Sequence, residues 1–229
     1  MSPRRQPVSR RDRPAKPPLT REWIIDTAVR VMRAEGLSRV TMRRLATELD
    51  TGPASLYVYL ANTAELHAAI LEELLGEVDL TPITAPGDWR ERVDAVLGSY
   101  SRVLDENPGL ARSALVARPS GPNYLNLVEA LLALLTAGGV PEAQAAWGID
   151  ILLLATTASA VEHGANEEGL RPGQDWDSLT EAFDEASPTT TPLIAALGAQ
   201  LLSGAPEQRR GWAIRVLLDG ILHTPLPKP

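Results

Sequence analysis

Hydrophobic positions recur at helical spacing along almost the whole chain, and no stretch alternates apolar and polar residues as a strand would. The first stripe is Ile24, Ala28, Val31 and Met32, opened by Thr20 as an N-cap and closed by Gly36. A second, Met42, Leu45, Ala46 and Leu49, starts at Thr41, again a good cap. Asp50-Thr51-Gly52-Pro53 breaks it, since Asp and Gly tolerate left-handed backbone and Pro suits the first turn of a new helix. That new helix is predicted over Ala54 to Leu60, with Leu56 and Leu60 as its buried pair. The stripe Leu66, Ile70, Leu74 and Val78 then predicts a helix from Asn62 to Val78 that belongs to both halves of the chain.

Further helices are predicted from Asp88 to Leu104, Gly109 to Val116, Asn123 to Thr136, Glu142 to about Asn166, Thr191 to Leu202 and Pro206 to Leu222. In the last of these, small Ala213 and Gly220 would permit close helix contact. Residues 167–190 are acidic and rich in breakers, reading as a mobile insertion with one helical piece from Trp176 to Ala186. The expected fold class is therefore all-α. The run Ile151 to Val161 is apolar for 11 residues, short of the roughly 20 needed to cross a membrane. A helix apolar on nearly every side must instead be covered on nearly every side, by the bundle core and by a partner subunit.

Residues 41–67 carry the clearest chemistry. Two short helices joined by a tight turn form a DNA-reading unit when the second helix can enter a major groove. Here its entrance is small (Gly52, Ala54), and Ser55, Tyr57 and Tyr59 carry hydroxyls for phosphates or base edges. Charge supports this reading. Residues 1–60 hold 12 Lys and Arg against 6 Asp and Glu, whereas the remainder holds 10 against 23. A basic head on an acidic body orients the encounter with a polyanion. Residues 1–18 add Arg4, Arg5, Arg10, Arg11, Arg13 and Lys16 with five prolines. This reads as a disordered basic arm, lacking the apolar core of a signal peptide, that can follow the minor groove or the phosphates.

Residues 19–67, with the segments LTREWIIDTAVRVMRAEG and MRRLATEL, the pair Leu56-Tyr57 and the start Asn62-x-x-Glu65-Leu66, resemble the N-terminal domain of TetR-family transcriptional regulators. The resemblance implies a three-helix DNA-binding domain over 19–66, a connector helix to about 79, and a ligand-binding and dimerisation domain over 80–225. It implies a homodimer joined through a four-helix bundle of the long helix and the last helix, reading a palindromic operator. By the same resemblance Thr41 and Arg43 would hold phosphates, Thr51, Gly52, Pro53, Ala54 and Ser55 would lie nearest the bases, and Tyr57 and Tyr59 would meet the backbone or groove wall. The chain departs from the family pattern at Asp50-Thr51, where Gly-Val is usual, and at Thr63, where Lys is usual after the Asn. The first places a carboxylate near DNA and the second removes a phosphate-binding cation, so binding per site should be weaker than in a Lys-bearing relative.

Members of the family keep a small-molecule pocket in the C-terminal bundle. Polar and aromatic residues set among aliphatic ones there are Trp89, Tyr100, Asn123, Tyr124, Trp147, Thr156, Thr157 and His163, the candidate contacts for an apolar or aromatic effector. The tetracycline-sensing branch uses a histidine-bound magnesium. The loop before Arg118-Pro119 that resembles its counterpart has no histidine, so neither tetracycline nor a metal or other cofactor is expected. An enzyme is not expected either: the chain has three histidines, no cysteine and no phosphate-cradling glycine motif. These features lead to a cytoplasmic, ligand-responsive regulator, most simply a repressor, without membrane partners. The alternative is a helical small-molecule-binding or scaffolding protein with vestigial DNA affinity.

Overall fold

The computed structural model describes residues 18–115, 119–163 and 172–228 and contains no strand among them. Its helices are α1 (Arg21–Glu35), α2 (Met42–Glu48), α3 (Pro53–Leu56), α4 (Thr63–Leu75), α5 (Trp89–Asp105), α6 (Pro108–Ala114), α7 (Pro122–Ala137), α8 (Glu142–His163), α9 (Pro172–Asp184), α10 (Pro192–Leu202) and α11 (Pro206–His223). The all-α expectation holds. The expected basic arm lies, but for Pro18, outside the described residues, as do residues 164–171 at the start of the expected insertion.

Side chains set the starts of the head helices as the sequence suggests. Thr20 Oγ1 accepts from Trp23 N, Thr41 Oγ1 from Arg44 N, and Asn62 Oδ1 from Glu65 N, at 3.1, 3.1 and 2.9 Å. Each satisfies a backbone donor that the first helical turn leaves unpaired. Glu65 reaches back to Ala61 N at 2.7 Å, so the start of α4 is held from both sides.

The turn after α2 is a Schellman motif. Thr51 N bonds to Ala46 O at 2.8 Å and Asp50 N to Thr47 O at 3.1 Å, with Asp50 at φ 48°. Asp50 therefore occupies the left-handed position that glycine favours, which explains structurally why a glycine is usual there. The next helix is shorter than expected. Only Pro53–Leu56 is α-helical, and the chain tightens so that Tyr59 N bonds to Leu56 O, three residues back. Leu56 and Leu60 are nonetheless fully buried, as their spacing requires.

The head core joins Ile24, Ala28, Met42, Leu45, Leu56 and Leu60 to Leu66 and Ile70 of α4. An ion-pair network braces it outside: Arg44 binds Glu35 and Glu48 at 2.6 and 2.7 Å, and Arg30 binds Glu48 at 2.9 Å. Hydrogen bonding by Arg44 holds the Glu35 and Glu48 carboxyls below their usual range. Arg33 pairs with Glu77, tying α1 to the segment after α4.

In the second half α8 is central, packing on α5, α6, α7 and α11. By length and composition it is apolar enough to span a membrane, which corrects the inference from its 11-residue apolar run. Its neighbours show why it is apolar: it is the core helix of a bundle. Gly148, not Ala213 or Gly220, permits the close approach of α8 to α11. A Cβ on Gly148 would lie 2.8 Å from Ile221, whereas Ala213 and Gly220 are exposed. Arg90–Asp219 and Arg210–Asp94, both 2.8 Å, fasten α5 to α11. Phe183 packs α9 on Gly198 of α10, and α10 buries none of its own residues.

Candidate functional site

The tip of the head is an exposed surface of small and hydroxyl-bearing groups. Gly52, Pro53, Ala54 and Ser55 are exposed, Thr51 is half-buried, and a Cβ on Gly52 would meet nothing within 4 Å. Among the described residues, nothing crowds Gly52 against an approaching surface. Tyr57 is 52% exposed, and Thr41, Arg43 and Thr63 are exposed around it.

The two arginines of α2 have different employment. Arg44 is fully engaged by Glu35 and Glu48, whereas Arg43 makes no ion pair among the described residues and projects to solvent. Arg43 is thus the α2 cation available to a phosphate. Tyr59 departs from its expected role: half-buried, it donates its hydroxyl to Leu19 O at 2.6 Å, bridging the end of the reading segment to the chain before α1. Two candidates escaped the sequence reading. Val58 is 80% exposed beside Tyr57, and Arg39 is exposed on the turn before α2. Val58 stands two residues from each of the buried Leu56 and Leu60, which at about 100° per residue is the opposite face.

A cavity of 70 Å³ lies among α4, α5, α6, α7 and α8. Three of the expected ligand contacts line it, Tyr100, Tyr124 and Thr157, together with Leu71, Leu75, Leu153, Leu154 and Asp150. Tyr100 Oη and Thr157 Oγ1 share a hydrogen bond of 2.8 Å, and burial pushes the Tyr100 phenol up. The wall is thus aliphatic with a few convergent polar groups, the usual make-up of a small-molecule site.

Other expected contacts sit elsewhere. Trp89 covers the end of α7, where a Cβ on Gly138 would come within 2.3 Å of its ring, and Arg90 stacks on it at 4.3 Å. Asn123 is bound to Glu72, Thr156 returns its hydroxyl to Leu152 O at 2.8 Å, and Trp147 is 59% exposed on the outer face of α8. His163 ends α8, and its side chain is outside the described set. The aliphatic lining residues were invisible in sequence because a cavity wall and a packed core use the same side chains.

A helix-turn-helix head carried by a helix that also walls a cavity defines a DNA-binding regulator. The chain belongs to the TetR family. Residues 24–70 match the family model of bacterial regulatory proteins of the tetR family, and 81–224 match the tetracyclin repressor-like C-terminal domain. It is a transcription regulator and not an enzyme. The crystal structure of the putative transcription regulator SCO7704 from Streptomyces is 55% identical, covers 93% of this chain and 100% of its own, and superposes with a TM-score of 0.79. The Streptomyces coelicolor TetR family protein ActR, crystallised in complex with actinorhodin, is 33% identical, with 90% and 97% covered and a TM-score of 0.79. An HTH-type transcriptional regulator of Saccharopolyspora erythraea is 32% identical over 124 residues, and the match spans 52% of that relative's length.

Proposed function

We propose that the chain acts as a homodimeric, ligand-responsive repressor that binds a palindromic operator and leaves it when an apolar or aromatic molecule enters the α4–α8 cavity. One observation carries this reading: α4 packs Leu66 and Ile70 into the head core while Leu71 and Leu75, one turn further on, wall the cavity. A change of cavity shape therefore acts on the helix that holds the head. Effector binding by ActR and the repressor-like C-terminal family match support the regulatory sense.

An exposed apolar strip supports the dimer. Trp147, Ile151 and Leu154 on α8 and Trp212 and Val216 on α11 remain 45–64% exposed, an arrangement that a second copy would cover as a four-helix bundle. Two heads then meet half-sites roughly 34–36 Å apart. DNA faces Arg43 and Thr41 at phosphates, and the Thr51–Ser55 turn with Tyr57 at the groove. The cytoplasm is the compartment where such a regulator meets DNA.

The test is selection of bound sequences from random duplex DNA at moderate salt, alongside sizing of the protein in solution. The expected result is a palindrome with equal half-sites, bound by a dimer and released by a subset of aromatic natural products. Enrichment no better than that of an Arg43→Ala/Tyr57→Ala variant would refute the DNA-reading role.

A further inference from the structure

The junction between α4 and α7 is a reciprocal cap. Gly121, the N-cap residue of α7, has no side chain to offer the helix start. Glu72 of α4 supplies the missing acceptor: its carboxylate accepts from Asn123 N at 2.6 Å and from Tyr124 N at 3.3 Å. In return Asn123 Nδ2 donates to the backbone carbonyl of Glu72 at 3.0 Å, one of the carbonyls that the last turn of α4 leaves without a helical partner. That exchange coincides with the end of α4 at Leu75, short of the expected Val78, and Gly76 N turns to Glu73 O instead. Two glycines make the fit possible. A Cβ on Gly121 would lie 2.4 Å from Glu72 Cδ, and one on Gly76 would lie 3.2 Å from Asn123 Nδ2.

Neither Glu72 nor Asn123 lines the cavity, but their immediate neighbours do. Leu71 and Leu75 on α4 and Tyr124 on α7 form one side, facing Tyr100, Leu153 and Thr157 on α5 and α8. The cavity is 70 Å³, far below the roughly 300–1,000 Å³ of sites for drug-sized ligands. A ligand of that size must part these two sides.

We propose that Glu72 and Asn123 are positioning residues of the ligand response, locking the last turn of α4 to the first turn of α7 so that an incoming ligand displaces both as one body and tilts the head. This rests on the cavity being the effector site. With the lock intact, pressure on Tyr124 is delivered to α4. Without it the first turn of α7 yields alone, so only the pressure on Leu71 and Leu75 reaches α4 and the head tilts less. A cap that merely stabilised α7 would leave the response of the head unchanged when removed.

The experiment replaces the unidentified ligand by a built-in wedge, Ala114→Phe, at a residue on the cavity wall. Ala114→Met serves as a milder wedge if the first does not fold. Two readouts are taken with and without Glu72→Ala. One is affinity for the duplex that the unmodified protein selects from random DNA. The other is the distance between nitroxides at Ser38→Cys and Glu91→Cys, measured after dilution with unlabelled chains; the protein has no cysteine of its own to interfere. Expected is a loss of duplex affinity of about tenfold on wedging, within the usual range of coupling between sites, with a shift in the nitroxide distance. In the Glu72→Ala background the wedge should cost at most about threefold in affinity, a difference typical of coupled neighbouring sites, and shift the distance less, because only pressure on Leu71 and Leu75 then reaches α4. An equal wedge effect in both backgrounds, or an unmoved head with the lock intact, overturns the proposal. If the unmodified protein selects no duplex, the regulator reading fails, while the nitroxide distances still decide the lock.

Discussion

Replacing Arg43 by Ala removes the one α2 cation that makes no ion pair among the described residues, and adjacent Arg44 provides an internal control. Consecutive helical residues diverge by about 100°, and here one guanidinium faces solvent at the tip while the other closes on Glu35 and Glu48. If each Arg43 neutralises one phosphate, a dimer loses two on substitution, and the slope of log affinity against log salt becomes shallower by about 1.8. Between about 50 and 150 mM salt the unmodified protein should then lose about sevenfold more affinity than Arg43→Ala. The assay is fluorescence anisotropy of the selected duplex over a salt series, with both variants' unfolding midpoints recorded. Arg44→Ala should lower the unfolding midpoint, because it takes the ion-pair partner from Glu35 and leaves Glu48 with Arg30 alone, and should keep the slope of the parent. Equal slopes for Arg43→Ala and parent would remove Arg43 from the phosphate contacts. A reduced slope in Arg44→Ala alone would reverse the assignment of the two arginines.

Tyr59→Phe should cost about 0.5–1.5 kcal/mol of stability in urea denaturation, the usual net value of one hydrogen bond, and leave the salt slope intact. A lowered slope would return Tyr59 to the DNA surface. Asp50→Asn keeps a residue that tolerates the left-handed turn while removing a negative charge, so duplex affinity should rise at low salt and the gain should shrink as salt screens it. No gain at low salt would place Asp50 away from phosphate. His67, half-buried with its Nδ1 3.2 Å from Ser113 Oγ, is held by desolvation below the usual imidazole value of 6.5. Its unfolded form binds the proton more readily, so the stabilisation is present above 6.5 and lost as pH falls through the folded value. His67→Gln should therefore flatten the decline in unfolding free energy between about pH 7.5 and 5.5; an unchanged decline would assign it to other groups.

How much could be read without coordinates depended on how local the cause was. Caps at Thr20 and Thr41, the helix starts at Asn62 and Asp88, the break at Asp50 and the buried pair Leu56 and Leu60 follow from residue type and spacing, and the structure reproduces them. Features arising from contact between distant segments were not legible. Tyr59 was assigned outward because no pattern near it announces the Leu19 carbonyl, 40 residues earlier in the chain. The early end of α4 coincides with a bond from Asn123, 51 residues away from Glu72. Polar and aromatic residues among leucines pointed to Tyr100, Tyr124 and Thr157, which line the cavity, and the same signal named Trp89 and Thr156, which spend their polarity or bulk on their own neighbourhood.

The small volume of the cavity also bears on how much effector is needed before the protein responds. A site this narrow admits a larger molecule only in those moments when its walls have parted, so the apparent dissociation constant is the intrinsic one divided by the fraction of molecules then widened. Were that fraction about one in a hundred, the dose threshold would stand about a hundredfold above what the contacts alone would set. Sensitivity can accordingly evolve by substitutions that touch no effector. On the proposed function, softening the packing of α4 on α6 and α7 away from the cavity would lower the threshold for every effector at once, whereas changing the lining residues Tyr100 or Thr157 would alter which molecule is preferred.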